Sequence, residues 1–201
     1  MTQVTTGVRA VLNFPWVYEA LQFIVGGTEL REVVVNEFVR PFHGARILDI
    51  GCGPGEILPL LPPDVVYVGY DVSPDYIARA RKRYGDRAAF HATEFNEAEL
   101  AKHAPFDIAL VAGVLHHLSD EGALNLMALL RRAVPSGRVI TGDIVVLPNQ
   151  DFIMRQVVAW DRGRHARSPG GYEDLAHPFF SNVAGRIVRR SVISAWMMEC
   201  S

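Results

Sequence analysis

Apolar positions between residues 46 and 144 gather into short runs at regular intervals: Arg46–Ile50, Val65–Tyr70, Ala88–His91, Asp107–Val111 and Arg138–Ile144. Most of these runs are nearly continuous rather than alternating, which predicts strands covered on both faces. Between them the apolar spacing lengthens to the helical repeat and predicts helices near 54–61, 74–84, 96–102 and 119–133. Two of these helices carry start signals. Ser73-Pro74-Asp75 combines a capping hydroxyl, a first-turn proline and an acid near the positive helix end, with Ile77, Ala80 and Tyr84 behind it at helical spacing. The other begins at Ser119-Asp120-Glu121 and runs to Arg131 and Arg132, before the breaker Pro135-Ser136-Gly137. Strands alternating with helices predict an α/β domain on a parallel sheet with right-handed crossovers.

The flanks depart from this alternation. Residues 14–41 predict one or two helices broken at Gly26-Gly27, a short helical cap ahead of the sheet. Residues 148–177 read as a helix over about 150–161, a polar loop, and a short helix near 171–177. Two further apolar runs, Val183–Val188 and Val192–Cys200, occupy 182–200. Too few residues separate them for a parallel crossover, which takes a dozen or more, so they are expected to pair antiparallel. With no internal repeat and no break in composition, one domain over 1–201 is expected.

Composition narrows the function classes. The chain is 49% hydrophobic and 21% charged, ordinary values for a globular protein. A formal net charge of -2, with both signs interspersed, argues against a dedicated nucleic-acid surface. The basic stretch Arg79–Arg83 reads as a solvated helix face. No apolar run approaches the roughly 20 residues of a membrane span, and the opening MTQVTTGVRA lacks the features of a secretory signal. Two cysteines, Cys52 and Cys200, do not make a disulfide framework. The expectation is a cytoplasmic protein with neither membrane nor nucleic acid as partner. Oligomeric state is not legible, because no exposed apolar stripe can be told from core.

The chemistry concentrates where the first strand ends, in ILDIGCGPG (Ile47–Gly55). Gly51, Gly53 and Gly55 permit backbone angles closed to other residues and leave no side chain in the way. In open α/β sheets, ligands bind beyond the carboxyl ends of the strands, at the point where strand order reverses. A tight turn with no ligand is the plainer reading; Asp71 argues against it. It follows the second strand, twenty residues after Gly51, where a carboxylate can accept hydrogen bonds from both hydroxyls of a ribose. The ligand carries no diphosphate on this reading. The third glycine of G-x-G-x-x-G would fall at Glu56, whose charge opposes a pyrophosphate, and Pro54 removes an amide there. Nor does any of the six tyrosines have a lysine four residues on, as a short-chain dehydrogenase would.

ILDIGCGPG, VGYDVSP, FDIALVAGVLHHL and LLRRAVPSGRVITGD, in that order, resemble the successive motifs of class I S-adenosylmethionine-dependent methyltransferases, over about 46–144. The flanks NFPWVYEALQFIVGG and DRGRHARSPGGYEDL resemble a small bacterial subgroup more weakly. The resemblance implies a single Rossmann-like domain: a seven-stranded, mostly parallel sheet with an antiparallel last strand and helices on both faces. It implies S-adenosylmethionine as cofactor, S-adenosylhomocysteine as product, and methyl transfer to an oxygen, nitrogen or carbon of a small molecule. A non-catalytic S-adenosylmethionine-binding or regulatory partner protein on the same fold is the alternative. By the same resemblance, Asp49 and the turn Gly51, Cys52, Gly53, Gly55 hold the methionine end of the cofactor. Asp71 takes the ribose hydroxyls, and Val72 packs on adenine. Thr93 stands where glycine is common, Glu94 where an aspartate usually reads the adenine amino group, and Phe95 lies beside the ring. Ala112, Gly113 and Val114 line the cofactor near the sulfonium.

Methyl transfer is an in-line displacement that a dry, positioned site favours. His116 and His117 follow the fourth strand, and either could serve as a base near neutral pH, His116 being the better candidate. The pair is weak as a metal site, because adjacent residues diverge and no third ligand has convincing spacing; no metal is expected. Asp143, ending the fifth strand, is a possible partner for such a site but is placed on the substrate side. Tyr18 is the favoured acceptor contact among Phe14, Trp16 and Tyr18, since a phenol offers an apolar face and a hydroxyl. Arg164, with His165 and Arg167, forms a basic loop that reads first as solvated and, as the alternative, suits an acidic or phosphorylated acceptor. Cys52 fits the turn as a small side chain, with no base placed to activate it.

Overall fold

The computed structural model describes residues 27–150, 165–190 and 193–201. They form one seven-stranded sheet. Its strands are β1 (Arg46–Ile50), β2 (Val66–Tyr70), β3 (Ala89–His91), β4 (Ile108–Ala112), β5 (Arg138–Ile144), β6 (Val183–Arg190) and β7 (Ile193–Cys200). The order across the sheet is β3-β2-β1-β4-β5-β7-β6. β1 to β5 pair in parallel, while β7 runs antiparallel to both β5 and β6. The chain builds one half outward from β1 to β3, then returns to β4 on the other side of β1. The loops after β1 and β4 therefore part company, opening a crevice at the carboxyl edge where the order reverses.

Alternation along each strand sends side chains to two cores. Leu48, Val68, Ala109 and Val139 join the core under α4 (Asp120–Ala133) and α5 (Pro169–Ala176). Ile47, Tyr67, Ile108 and Ile140 join the other, with Val35 and Phe38 of the N-terminal helical segment and Ile77 and Ala80 of α2 (Pro74–Tyr84). That N-terminal segment is α1 (Gly27–Val33), continuing as a π-helix over Val34–Val39. Burial on both faces is why the strands read as continuous apolar runs.

The helix starts lie where the capping residues put them. Ser73 Oγ accepts from the Tyr76 amide with Pro74 in the first turn, and Ser119 Oγ accepts from the Gly122 amide. Asn96 caps α3 (Glu97–His103) in the same way. The helix expected over 54–61 does not form: turns lead into one turn of 3-10 helix, Leu58–Leu60. Proline at 54, 59, 62 and 63 withholds the amides that an α-helix needs, and Gly55 takes a φ of 75°. The short helix expected at 171–177 is observed as α5. The helix over about 150–161 and the cap before residue 27 lie mostly outside the described residues, as do Phe14, Trp16, Tyr18 and Arg164.

Candidate functional site

The carboxyl ends of β1, β2, β4 and β5 gather most of the residues singled out in the sequence. Gly51, Gly53 and Gly55 all have positive φ, at 75°, 54° and 75°. The bend is pinned to β2, whose Tyr70 carbonyl accepts from the Gly51 and Cys52 amides at 2.8 and 3.1 Å. The three glycines differ in what their missing side chains make room for. A Cβ on Gly51 would lie 2.5 Å from Val114 Cγ2, and one on Gly55 would lie 3.0 Å from the Phe90 ring. A Cβ on Gly53 would meet nothing within 4 Å. Gly51 and Gly55 thus serve packing, and only Gly53 borders open space where a ligand backbone or side chain could approach.

Asp71 lies across from that open glycine. Its Oδ2 accepts from the Gly53 amide at 3.0 Å and its Oδ1 from the Ser73 amide at 2.8 Å. Each oxygen carries a further lone pair, so the carboxylate is held in place and can still accept from two hydroxyls. Val72 beside it is 47% exposed, an apolar surface at the strand tip. In the loop after β3, Thr93 is half-buried and Glu94 exposed. Phe95 is buried, its ring edge-on to Tyr70 at 5.1 Å. Ala112 and Gly113 are exposed at the end of β4, while Val114 tucks under the glycine bend. Glu56, which breaks the dinucleotide pattern, pairs with Arg31 of α1 instead of facing the bend.

Asp49 is buried below the bend and accepts a hydrogen bond from the Tyr67 hydroxyl. Burial pushes its pKa up to about 7; the Tyr67 bond opposes this, and the nearby Asp71 charge adds to it. Cys52 has its thiol raised far above the usual range by burial and by Asp49 and Asp71, so it stays protonated and inert.

Across the sheet, two residues 27 positions apart in sequence meet. His116 Nδ1 lies 2.7 Å from Asp143 Oδ1, and the His116 amide donates to the same oxygen at 3.2 Å. Both are buried, at 5% and 2% exposure. An ionised Asp143 makes Nδ1 the protonated nitrogen and leaves the lone pair on Nε2. Asp143 Oδ2 is buried without a hydrogen-bond partner among the described residues. Gly113 borders the imidazole, with His116 Cε1 3.8 Å from where a Cβ would stand. The His117 ring packs on His116, centroids 4.1 Å apart.

Arg167 does not serve as a free cation for an acidic acceptor. Its guanidinium donates to the Leu115, Leu118 and His165 carbonyls and to Asp120, clamping the turn that carries His116. Its side chain is 11% exposed. Sequence reading joined Asp143 to the histidine pair only as a possible metal partner, not as the hydrogen-bond partner of His116, and did not find Arg167 as the clamp. The one available signal was that both strand ends lie at the same edge of the sheet.

Residues 48–139 match the family described as "Methyltransferase domain". Among curated relatives, a carboxy-S-adenosyl-L-methionine synthase of Chromohalobacter salexigens is 29% identical over 66% of this chain and 51% of its own length. The 27-O-demethylrifamycin SV methyltransferase of Amycolatopsis mediterranei is 33% identical over 53% of this chain and 41% of its own. The chain spans about half the length of the curated relatives it matches. Among solved structures, magnesium protoporphyrin IX methyltransferase from Synechocystis PCC 6803, with bound SAH, superposes with a TM-score of 0.68 at 18% identity, over 87% of this chain and 83% of that one.

Proposed function

We propose that this chain, whose residues 48–139 match the methyltransferase-domain family, is a class I S-adenosylmethionine-dependent methyltransferase that transfers a methyl group from S-adenosylmethionine to a small-molecule acceptor. The observation that carries the reading is the pairing of two built features across one strand edge. One is an open glycine bend facing a held carboxylate, Gly53 with Asp71. The other is a buried imidazole–carboxylate pair, His116 with Asp143. The cofactor supplies an electrophilic methyl group on a sulfonium. The side chains fit it: Asp71 has spare acceptors for ribose hydroxyls, Val72 offers an apolar face to adenine, and the bend leaves space at Gly53. Thr93, Glu94 and Phe95 border the adenine end, and Ala112, Gly113 and Val114 the methyl end. Asp49 and the Gly51–Gly55 bend take the methionine end, with a cation there favouring ionised Asp49.

On the acceptor side, Asp143 holds the His116 tautomer through Nδ1, and Nε2 takes the acceptor's proton as the nucleophile forms its bond. The His116 turn is kept in register by the Arg167 clamp. Tyr18 and Arg164, outside the described residues, are our proposed acceptor contacts. The bacterial relatives and the sparse cysteines support a bacterial, cytoplasmic setting, and the interspersed charge favours a small acceptor over nucleic acid. No helix among the described residues is long and apolar enough to cross a membrane. Nothing in the geometry of the described residues favours the non-catalytic alternative.

The test is transfer of labelled methyl from S-adenosylmethionine to fractionated small-molecule metabolite pools. Label appearing in a small molecule with the wild-type protein, and lost with D71A, is the expected result. No transfer into any pool, by a protein that binds the cofactor, would move the reading to the non-catalytic alternative.

A further inference from the structure

Away from the crevice, at the outer edge of the sheet, three metal-ligating side chains converge. His91 ends the edge strand β3, and Glu99 and His103 sit one turn apart on α3. One ligand atom from each lies within 4.8 Å of the other two. No other such trio of His, Cys, Asp or Glu is found among the described residues. From this we infer that His91, Glu99 and His103 form a binding site for a divalent transition-metal ion of the zinc type.

Four observations carry it. First, the donor set is two imidazoles and one carboxylate, with spacing i, i+4 on the helix, the composition that borderline metals such as zinc select. Second, His91 Nε2 is buried and has no hydrogen-bond partner among the described residues. A buried ring nitrogen left unpaired is costly and calls for a partner, which a metal ion would be. Third, Glu99 is 8% exposed and already oriented by its neighbours: Tyr70 donates to Oε2 at 3.1 Å and Lys102 to Oε1 at 2.7 Å. Such outer partners hold a ligating carboxylate in position. Oε2, 3.8 Å from His103 Nε2, keeps a lone pair for the ion. Fourth, the rings are stacked into place. His91 lies on Tyr70 at 4.8 Å, and His103 lies 5.0 Å from His91.

Tetrahedral zinc with bonds of about 2.0–2.1 Å needs donor atoms somewhat closer than they stand here. His103, at the end of α3 and with 27% of its side chain exposed, has the freedom to move in. Its exposure also leaves the fourth position to water. The ion is structural in this arrangement. It ties β3 to α3 across residues 92–96, the loop that carries Thr93, Glu94 and Phe95, and so stiffens the adenine side of the cofactor site without touching the reaction. The site stands whether or not the chain transfers methyl groups, because none of its three ligands is used in that reading.

The test is titration of the chelator-treated full chain with zinc chloride by calorimetry, and with cobalt(II) by visible absorption, in the wild type and in H91Q, E99Q and H103Q. The expected result is one ion per chain, a raised melting temperature with zinc, a tetrahedral-type cobalt spectrum, and affinity at least about tenfold weaker in each variant. H103Q, on the exposed end of α3, keeps the test readable if H91Q or E99Q folds poorly; circular dichroism of each variant without metal identifies those that fold. Absence of saturable one-to-one binding in the wild type, or unchanged affinity in a folded H103Q, would overturn the site.

Discussion

Two buried aspartates flank the switch point of the sheet. Asp49 lies on β1 and Asp143 on β5, at 4% and 2% exposure. Burial is the same; the partners differ. Asp49 meets the Tyr67 hydroxyl, a neutral donor too weak to offset desolvation, and its pKa rises to about 7. Asp143 meets an imidazole that can itself take a proton, and keeps a second oxygen unpartnered. A carboxylate against a phenol is a poised charge that responds to a cation arriving nearby. A carboxylate against a histidine is a device for fixing which ring nitrogen is basic. The two halves of the crevice are thus built from one residue type into a binding half and a proton-handling half.

The largest effect should come from breaking the second half alone. D143N is isosteric but removes the charge that fixes the His116 tautomer, and H116Q removes the base. Both should lower kcat by roughly 10²–10⁴-fold while leaving cofactor affinity within about threefold, as read by steady-state kinetics beside calorimetry. The pH profile should also lose its lower limb in H116Q. Equal losses in affinity and in kcat would erase the division between the halves.

Next in size is the binding half. D71A should weaken S-adenosylhomocysteine about 10–100-fold, the scale of one or two charge-assisted hydrogen bonds. Since Asp71 also accepts from Gly53 and Ser73, a small loss of melting temperature is expected with it.

The glycines sharpen the same line. G51A drives a methyl group into Val114 and should cost stability, about 1–3 kcal/mol, measured by urea denaturation. G53A meets open space and should cost only about 1 kcal/mol while lowering cofactor affinity. Equal destabilisation by the two would contradict the different roles assigned to them.

The pH response of Asp49 tests the binding half from another side. Its pKa is raised from 3.8 to about 7, so between those values the folded chain holds a proton that the unfolded chain has lost. This group's contribution to stability therefore falls as pH rises through the window, and is gone above it. D49N has no proton to lose. The difference in urea midpoint, wild type minus D49N, should shift against the wild type between pH 5 and pH 8; a constant difference would place Asp49 in a more polar setting than the one described.

The sheet was legible because its strands are buried on both faces and so stand out as apolar runs. The helices at 74–84 and 119–133 were legible because Ser73 and Ser119 announce them. The helix expected over 54–61 failed because apolar spacing was read without weighing four prolines. In the site, the glycine bend and Asp71 were legible because they are local, a turn and a strand tip at fixed spacing. His116 with Asp143 was legible only as a possible metal partnership, and His91 with Glu99 and His103 not at all. Those contacts join separate elements through the sheet order, and nothing in a single sequence fixes which strand ends become neighbours. The different purposes of Gly51, Gly53 and Gly55 were hidden for the same reason, since Val114, after β4, reaches Gly51 and Phe90, on β3, reaches Gly55.

The central claim is that the bend and the strand-tip carboxylate receive an adenosyl sulfonium without phosphates. It is tested most directly by calorimetric titration of the wild-type chain with S-adenosylhomocysteine and, separately, with NAD. One equivalent of S-adenosylhomocysteine bound per chain, with no heat from NAD, is the result predicted; saturable binding of NAD with none of S-adenosylhomocysteine would contradict it.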